Sequence, residues 1–281
     1  MICLTGDLHH TSLGTGNQKH SDVPEITLAG RYLDILRESN TKVTFFVSGR
    51  SFDEEWDALR PLCDDELVEI GGHTYSCFEP EILHRVSKKL CGSYNGPRFL
   101  QRRDVERTIA VIRRRTGRTI RSWRNHMYMH GPFTYDVLAE AGIEVCSDVV
   151  SATARGPSWA RPGLIELPIT VIPDHEHIFH AERTPEWVAW WKKRYGFRDA
   201  FGSESYAIDA WADLVRSQID ENEARGALST IIIHPITMYL ADRFVSVRRV
   251  LDRVREARTI HAGDVASEAT RRTRESLEAW S

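Results

Sequence analysis

The amino-acid sequence predicts an incomplete α/β barrel, with parallel strands joined by crossover helices and a site at the C-terminal mouth of the strands. Two observations carry this expectation. Short apolar, β-branched runs alternate with helix-patterned segments along the chain, which is the pattern of parallel strands connected by helices. Metal-ligating and acid–base residue types also recur where those runs end, the place where parallel α/β barrels build their sites.

The strand-like runs are Ile2 to Thr5, Val43 to Val47, Leu67 to Ile70, Ile143 to Cys146, Ile165 to Ile169 and Thr230 to Ile233, with one more leading into Trp123. About seven strand–helix units in a chain of this length favour a barrel over an open sheet. Between the runs, Leu28, Tyr32, Leu33, Ile35 and Leu36 recur at helical spacing. A second helix is expected from about Asp104 to Thr116, with Gly117 as its C-cap. A third precedes Gly142, and a fourth runs from about Ile208 to Gly226. The polar, glycine-containing stretch from His10 to Asp22 reads as a loop. The stretch from Asp174 to Gly202, with Trp187, Trp190 and Trp191, reads as a helix over a pocket or as a lid. No internal repeat or linker divides the chain, so residues 1–281 are expected to form one domain.

Composition narrows the function classes. A net charge of −3 and a pI near 6.5 argue against nucleic-acid binding through phosphate contacts. No apolar run has the length of a membrane span. The start at Met1 shows no secretory pattern, which predicts a cytoplasmic protein. Five cysteines (Cys3, Cys63, Cys77, Cys91 and Cys146) are an odd set without paired short spacings, as expected in a reducing compartment. The partner expected is therefore a small-molecule or glycan substrate, and no feature indicates an oligomeric state.

The strand ends supply the candidate site. Gly6-Asp7-Leu8-His9-His10 offers a carboxylate and two imidazoles, a metal-ligand mixture; a loop-capping Asp with two solvated histidines is the alternative. His73 and Cys77 are four apart on what reads as a first helical turn, so both would face one side. Cys77 read by itself is equally a small buried residue. Gly71-Gly72 would permit close backbone approach there. His234 closes a fully apolar strand and has the chemistry of a general acid or base; a core histidine bonded to backbone is its alternative. Arg124 sits at another strand exit, where it would hold a carboxylate ionised, and Asp148 could in turn hold Arg124. Asp174-His175-Glu176-His177, with His180, is a further polar cluster, read as a solvated or substrate-facing loop.

In order, these segments resemble the polysaccharide deacetylase, or NodB-homology, family. Thr5-Gly6-Asp7-Leu8-His9 occupies the place of the family's Thr-Phe-Asp-Asp-Gly. Glu69-Ile70-Gly71-Gly72-His73-Thr74-Tyr75-Ser76-Cys77 is similar to its second motif, with Cys77 where the second His stands. Arg124 begins a third motif that lacks the usual prolines, and Ile231-Ile232-Ile233-His234 resembles the final Leu-x-x-His. The resemblance implies a distorted (β/α)7 barrel, a divalent metal ion (zinc foremost), and hydrolysis of an N-acetyl or related acyl group on a sugar. It implies Asp7 as base, His234 as acid and Arg124 as the partner of Asp7. The metal ligands would be His9 or His10, His73 and Cys77, and the substrate side would include His126, Tyr128 and Asp148. The departures in motif one leave two rival expectations, a metal-free amidohydrolase on a small nitrogenous compound and a non-catalytic sugar-binding barrel. In the latter, the three tryptophans would stack on the ring.

Overall fold

The computed structural model describes residues 1–268. Eight strands form one sheet: β1 (Ile2–Leu8), β2 (Val43–Val47), β3 (Val68–Gly72), β4 (Ser122–Trp123), β5 (Val145–Cys146), β6 (Ser158–Arg161), β7 (Leu164–Glu166) and β8 (Ser229–Ile232). Their order is β6-β7-β5-β4-β3-β2-β1-β8. All neighbours run parallel except the β6–β7 pair. The sheet curls into an incomplete barrel, as the sequence predicts. At its open seam, between the β7 side and β8, Thr170 makes three hydrogen bonds to the β8 side. Thr170 donates its N–H to Thr230 O (3.0 Å), accepts the Thr230 N–H at its hydroxyl (2.9 Å) and passes that hydroxyl proton to Leu228 O (2.8 Å).

The inner strands are apolar because both of their faces are covered. β1 and β2 are buried at every position. The helix Glu25–Glu38 lays Ile26, Leu28, Ala29, Tyr32, Leu33 and Leu36 against the sheet, and each such large side chain is worth roughly 1.5–3 kcal/mol of burial. The helix before Gly117 starts earlier than expected, spanning Arg98–Thr116 after Pro97, and Gly117 caps it at φ 71°. The helix Ile208–Ala224 forms where expected.

Three expectations are corrected. The His10 to Asp22 stretch carries two short helical turns, Thr11–Leu13 and Gly16–His20, the second closed by a Thr15–Gln18 capping box. The antiparallel strand β6 is a hairpin partner of β7 turned by Pro162 and Gly163 (φ 82°); its exposed, short sequence hides it from an apolar-run search. Regular pairing of the Ile165 to Ile169 run stops at Glu166. All five cysteines are free, Cys91 being exposed and the rest buried. Among the described residues, no helix is long and apolar enough to cross a membrane.

Candidate active site and metal centre

Alternation along β1 decides which residues enter the site. Thr5 and Asp7 share one side, and His9 continues it beyond the strand end. Asp7 is 3% exposed, yet its carboxylate is fully engaged on one oxygen: Arg124 Nη1 donates to Oδ1 at 2.9 Å. Arg124, fully buried, is itself fixed by donation to Thr5 Oγ1 (3.0 Å), Ser147 Oγ (2.8 Å) and Ser147 O (2.8 Å), and its guanidinium lies over the Phe46 ring. The expected Asp7–Arg124 pair therefore forms. Asp148 does not hold Arg124. It accepts from the Asn125 N–H (2.7 Å) and side-chain amide (2.5 Å), because the Arg124 fork is already filled by the β5 exit residue Ser147.

The other oxygen of Asp7, Oδ2, faces two imidazoles, with His73 Nε2 and His234 Nε2 each 3.8 Å away. His234 is turned by Asp174, which accepts from its ring Nδ1–H at 2.7 Å and from its backbone N–H at 2.6 Å. Burial alone would depress the His234 pKa, but the buried Asp174 carboxylate, with Asp7 and Glu176, outweighs it and lifts the group to about 9. Asp174, like Glu25 behind His9, is a candidate-site residue that strand-end reading missed. Its signal was the 174–177 cluster, which is a buried helical turn (Asp174–His177) against the site and not a solvated loop.

Three imidazoles and one thiol converge beside Asp7. The ring centroids of His9, His73 and His126 are 5.1, 5.0 and 5.4 Å apart pairwise. Ligand atoms of His9, His73, Cys77 and His126 all lie within 4.8 Å of one another. Two tautomers are fixed by the surroundings. His9 Nδ1–H donates to the buried Glu25 carboxylate (2.9 Å), and His73 Nδ1–H donates to Arg124 O (2.9 Å). Each therefore presents its Nε2 lone pair, and such outer partners are what orient metal-binding histidines. His73 Nε2 and His126 Nδ1 approach to 3.3 Å. Burial, reinforced by the neighbouring His9, holds both well below the ordinary imidazole range, so both imidazoles are neutral. A His3Cys donor set is borderline-soft and suits tetrahedral zinc; the residues fit such an ion.

Two metal expectations change. His10 is outside the group because it follows His9 and points the other way; its ring Nδ1 and backbone N–H both meet Ser48 Oγ at 3.1 Å. His126, expected on the substrate side, takes its place. The helical-turn reading of His73 to Cys77 is also wrong. The chain leaves β3 as a tight loop with Thr74, Cys77 and Phe78 at φ 59°, 51° and 64°, and the loop itself swings Cys77 back to His73. The glycine reading holds: a Cβ on Gly72 would lie 2.3 Å from the Trp123 ring. Tyr128 borders the site, within electrostatic reach of Asp7, Glu176 and Asp174. Its backbone N–H is bonded to Asn125 O (3.0 Å) and is not free for an oxyanion. The Arg183 guanidinium lies 5.1 and 4.9 Å from the ring centroids of Trp187 and Trp191, and Phe197 lies 4.6 Å from Trp191; of the three expected platforms Trp190 is the exposed one.

Sequence comparison bears on the same segments. The polysaccharide deacetylase profile matches residues 22–146. That stretch is similar to the polysaccharide deacetylase family. It contains the His73–Cys77 loop and Arg124, while Asp7, Asp174 and His234 lie outside it and join it through the geometry above. No curated protein matches the chain significantly. Solved structures share its fold. A "putative polysaccharide deacetylase" from Mycobacterium smegmatis is 18% identical with a TM-score of 0.72, covering 97% of this chain and 90% of that one. PuuE allantoinase is 13% identical with a TM-score of 0.64, covering 95% and 88%. A "probable polysaccharide deacetylase" from Pseudomonas aeruginosa PAO1 is 12% identical with a TM-score of 0.65, covering 96% and 90%. At these identities the likeness establishes the deacetylase-type incomplete barrel.

Proposed function

We propose that the chain is a metal-assisted amide hydrolase of the polysaccharide deacetylase type, removing an acetyl or similar acyl group from the nitrogen of a sugar-type substrate. One observation carries the reading. Asp7 Oδ2 lies 3.8 Å from Nε2 of both His73 and His234, and His73 belongs to a group of four donors whose ligand atoms lie within 4.8 Å of one another. His9, His73, Cys77 and His126 would hold a divalent ion, zinc by donor chemistry, which when bound supplies Lewis acidity toward the acyl carbonyl and lowers the pKa of water.

The chain's own residues do the rest. Arg124 pins Oδ1 of Asp7 and leaves Oδ2 to take the proton of the attacking water. His234, charged and oriented by Asp174, presents its Nε2–H as the acid for the departing amine. The two proton tasks are separated because one carboxylate is neutralised by a guanidinium and the other stabilises an imidazolium.

The donor count favours a second reading. Four protein donors fill a tetrahedral ion, as in structural sites, and hydrolysis would then rest on Asp7 and His234 alone. PuuE allantoinase, on the same fold, is named for a small nitrogenous substrate. Acetate release from N,N′-diacetylchitobiose, with and without a chelator, tests both. The metal-assisted reading expects activity that chelation abolishes and zinc restores, and a loss of about two orders of magnitude in kcat for Asp7→Asn and for His234→Ala. Full activity after removal of the metal supports the second reading; near-normal turnover in either variant refutes the assigned roles.

A further inference from the structure

Beside His234, one short run of chain presents buried polar atoms with no protein partner. They are Glu176 Oε2, His180 Nε2 and Arg183 Nε; a fourth buried atom of the run, Glu182 Oε2, has the His20 imidazole 3.2 Å away. His180 and Arg183 are 5% and 6% exposed. Buried polar groups in native proteins are almost always satisfied, so three orphans in eight residues call for a ligand or water to complete them. The run adjoins the proposed acid. The His175 ring lies 5.7 Å from that of His234 and 5.3 Å from that of His180. The Glu176 charge acts on both His234 and Arg183, and Arg183 acts in turn on His180.

The surroundings fix what each orphan can do. His180 Nδ1–H donates to Ile178 O at 2.9 Å, so its Nε2 is an acceptor. Arg183 lies beside the stacked Trp187 and Trp191 rings and donates Nη2 to Glu176 O (3.0 Å), leaving Nε–H as a donor. Glu176 Oε2 is an acceptor. The three atoms thus offer two acceptors and one donor, and the Glu176 carboxylate is opposite in charge to the Arg183 guanidinium, on which Glu182 also acts.

We propose that Glu176, His180 and Arg183 form a recognition subsite on the leaving-amine side of His234 for a compact, neutral group with two hydrogen-bond donors and one acceptor. A vicinal diol of a sugar ring and a terminal amide both have that pattern. The proposal rests on the hydrolase reading above and narrows its substrate. The low exposure of His234 and His9, 9% and 8%, is consistent with a compact group entering there.

The test compares wild type, Glu176→Gln and His180→Ala by acetate release from N-acetylglucosamine, N-acetylglycinamide and N-acetylcyclohexylamine. The first carries the diol, the second the terminal amide, and the third the same scissile bond without either. The subsite expects KM for the diol or the amide compound to rise at least about tenfold in both variants, as for a lost hydrogen bond to a buried charged or polar partner. It expects the KM rise in His180→Ala to come without loss on the cyclohexyl compound; in Glu176→Gln, whose charge also supports His234, it expects the loss on the diol or amide compound to exceed that on the cyclohexyl compound, and the compound that responds names the source. Equal KM values across the three proteins, or equal losses on all three compounds, would overturn it. If wild type releases no acetate from any of them, the hydrolase reading fails, and calorimetry with the two polar compounds then decides the subsite. Binding weakened at least about tenfold in Glu176→Gln supports it; no binding to wild type, or equal binding, overturns it. Circular dichroism confirms folding of each variant, and if one unfolds the other carries the comparison.

Discussion

At the scale of single residues, the site works through pairs that divide labour. Arg124 pins one oxygen of Asp7 and Asp174 holds His234 charged, so removing a partner changes chemistry at its mate. His234 shows this most plainly. The charged and titratable groups facing it are Asp174, Glu176 and His175 from the 174–177 turn, and Asp7 and His9 from β1 and its exit. Its folded pKa near 9 lies above the ordinary 6.5. The sign follows: the stability this contact supplies is complete below about pH 6.5 and is lost as pH rises through about 9. Activity that needs the protonated acid falls over the same upper limb. Asp174→Asn removes the chief raising charge, so the alkaline limb of kcat should move down toward the ordinary imidazole range. A pH–rate profile of the two proteins checks it, and an unmoved limb would show that His234 is not the acid.

At the scale of elements, the site depends on how strands end. β3 runs into Gly71-Gly72 because β4 and the Trp123 ring pack where side chains would stand; the Gly71 Cβ would also meet the Phe46 ring at 2.6 Å. Backbone at positive φ then clusters at the two loops beside the imidazoles, in Thr74, Cys77 and Phe78 after β3 and in Met127 and Tyr128 after β4. Such conformations are costly for non-glycine residues and tend to persist at functional sites. Gly72→Ala should cost about 1–3 kcal/mol, as overpacking of a filled core does, and should loosen metal affinity by displacing His73. Thermal unfolding with and without zinc measures both; an unaltered Tm would mean that the Trp123 contact yields. The strand ends were legible in the sequence because apolar runs stop abruptly at polar residues. The path of the loops was not. A spacing of four between His73 and Cys77 reads as a helical turn, and only the left-handed residues show that the same approach is made by a loop. His9 and His10 were indistinguishable by type, and alternation past the end of β1 separates them.

At the scale of the whole molecule, the curled sheet brings together groups that are far apart in the chain. Asp7 and His73 come from β1 and the exit of β3, and His234 from the exit of β8 beside β1 in the sheet. That convergence could be anticipated, since parallel barrel strands deliver their ends to one rim. The outer support was less legible. Glu25 and Asp174 sit on helical turns, where an acid looks like an ordinary capping or solvated residue, and their roles appear only when His9 and His234 are seen to donate to them. The seam at Thr170 was likewise silent, because isolated hydrogen bonds replace a ladder of strand pairing there. The claim at the centre of the account is a zinc-type ion seated between the imidazole cluster and Asp7. Anomalous diffraction at the zinc edge, on crystals of protein loaded with one equivalent of zinc, tests it directly. The expected outcome is one peak at about 2.0–2.3 Å from ligand atoms of at least three of His9, His73, Cys77 and His126, with Asp7 and His234 beside it. A peak on His10, or elsewhere on the molecule, with that cluster empty, would contradict it.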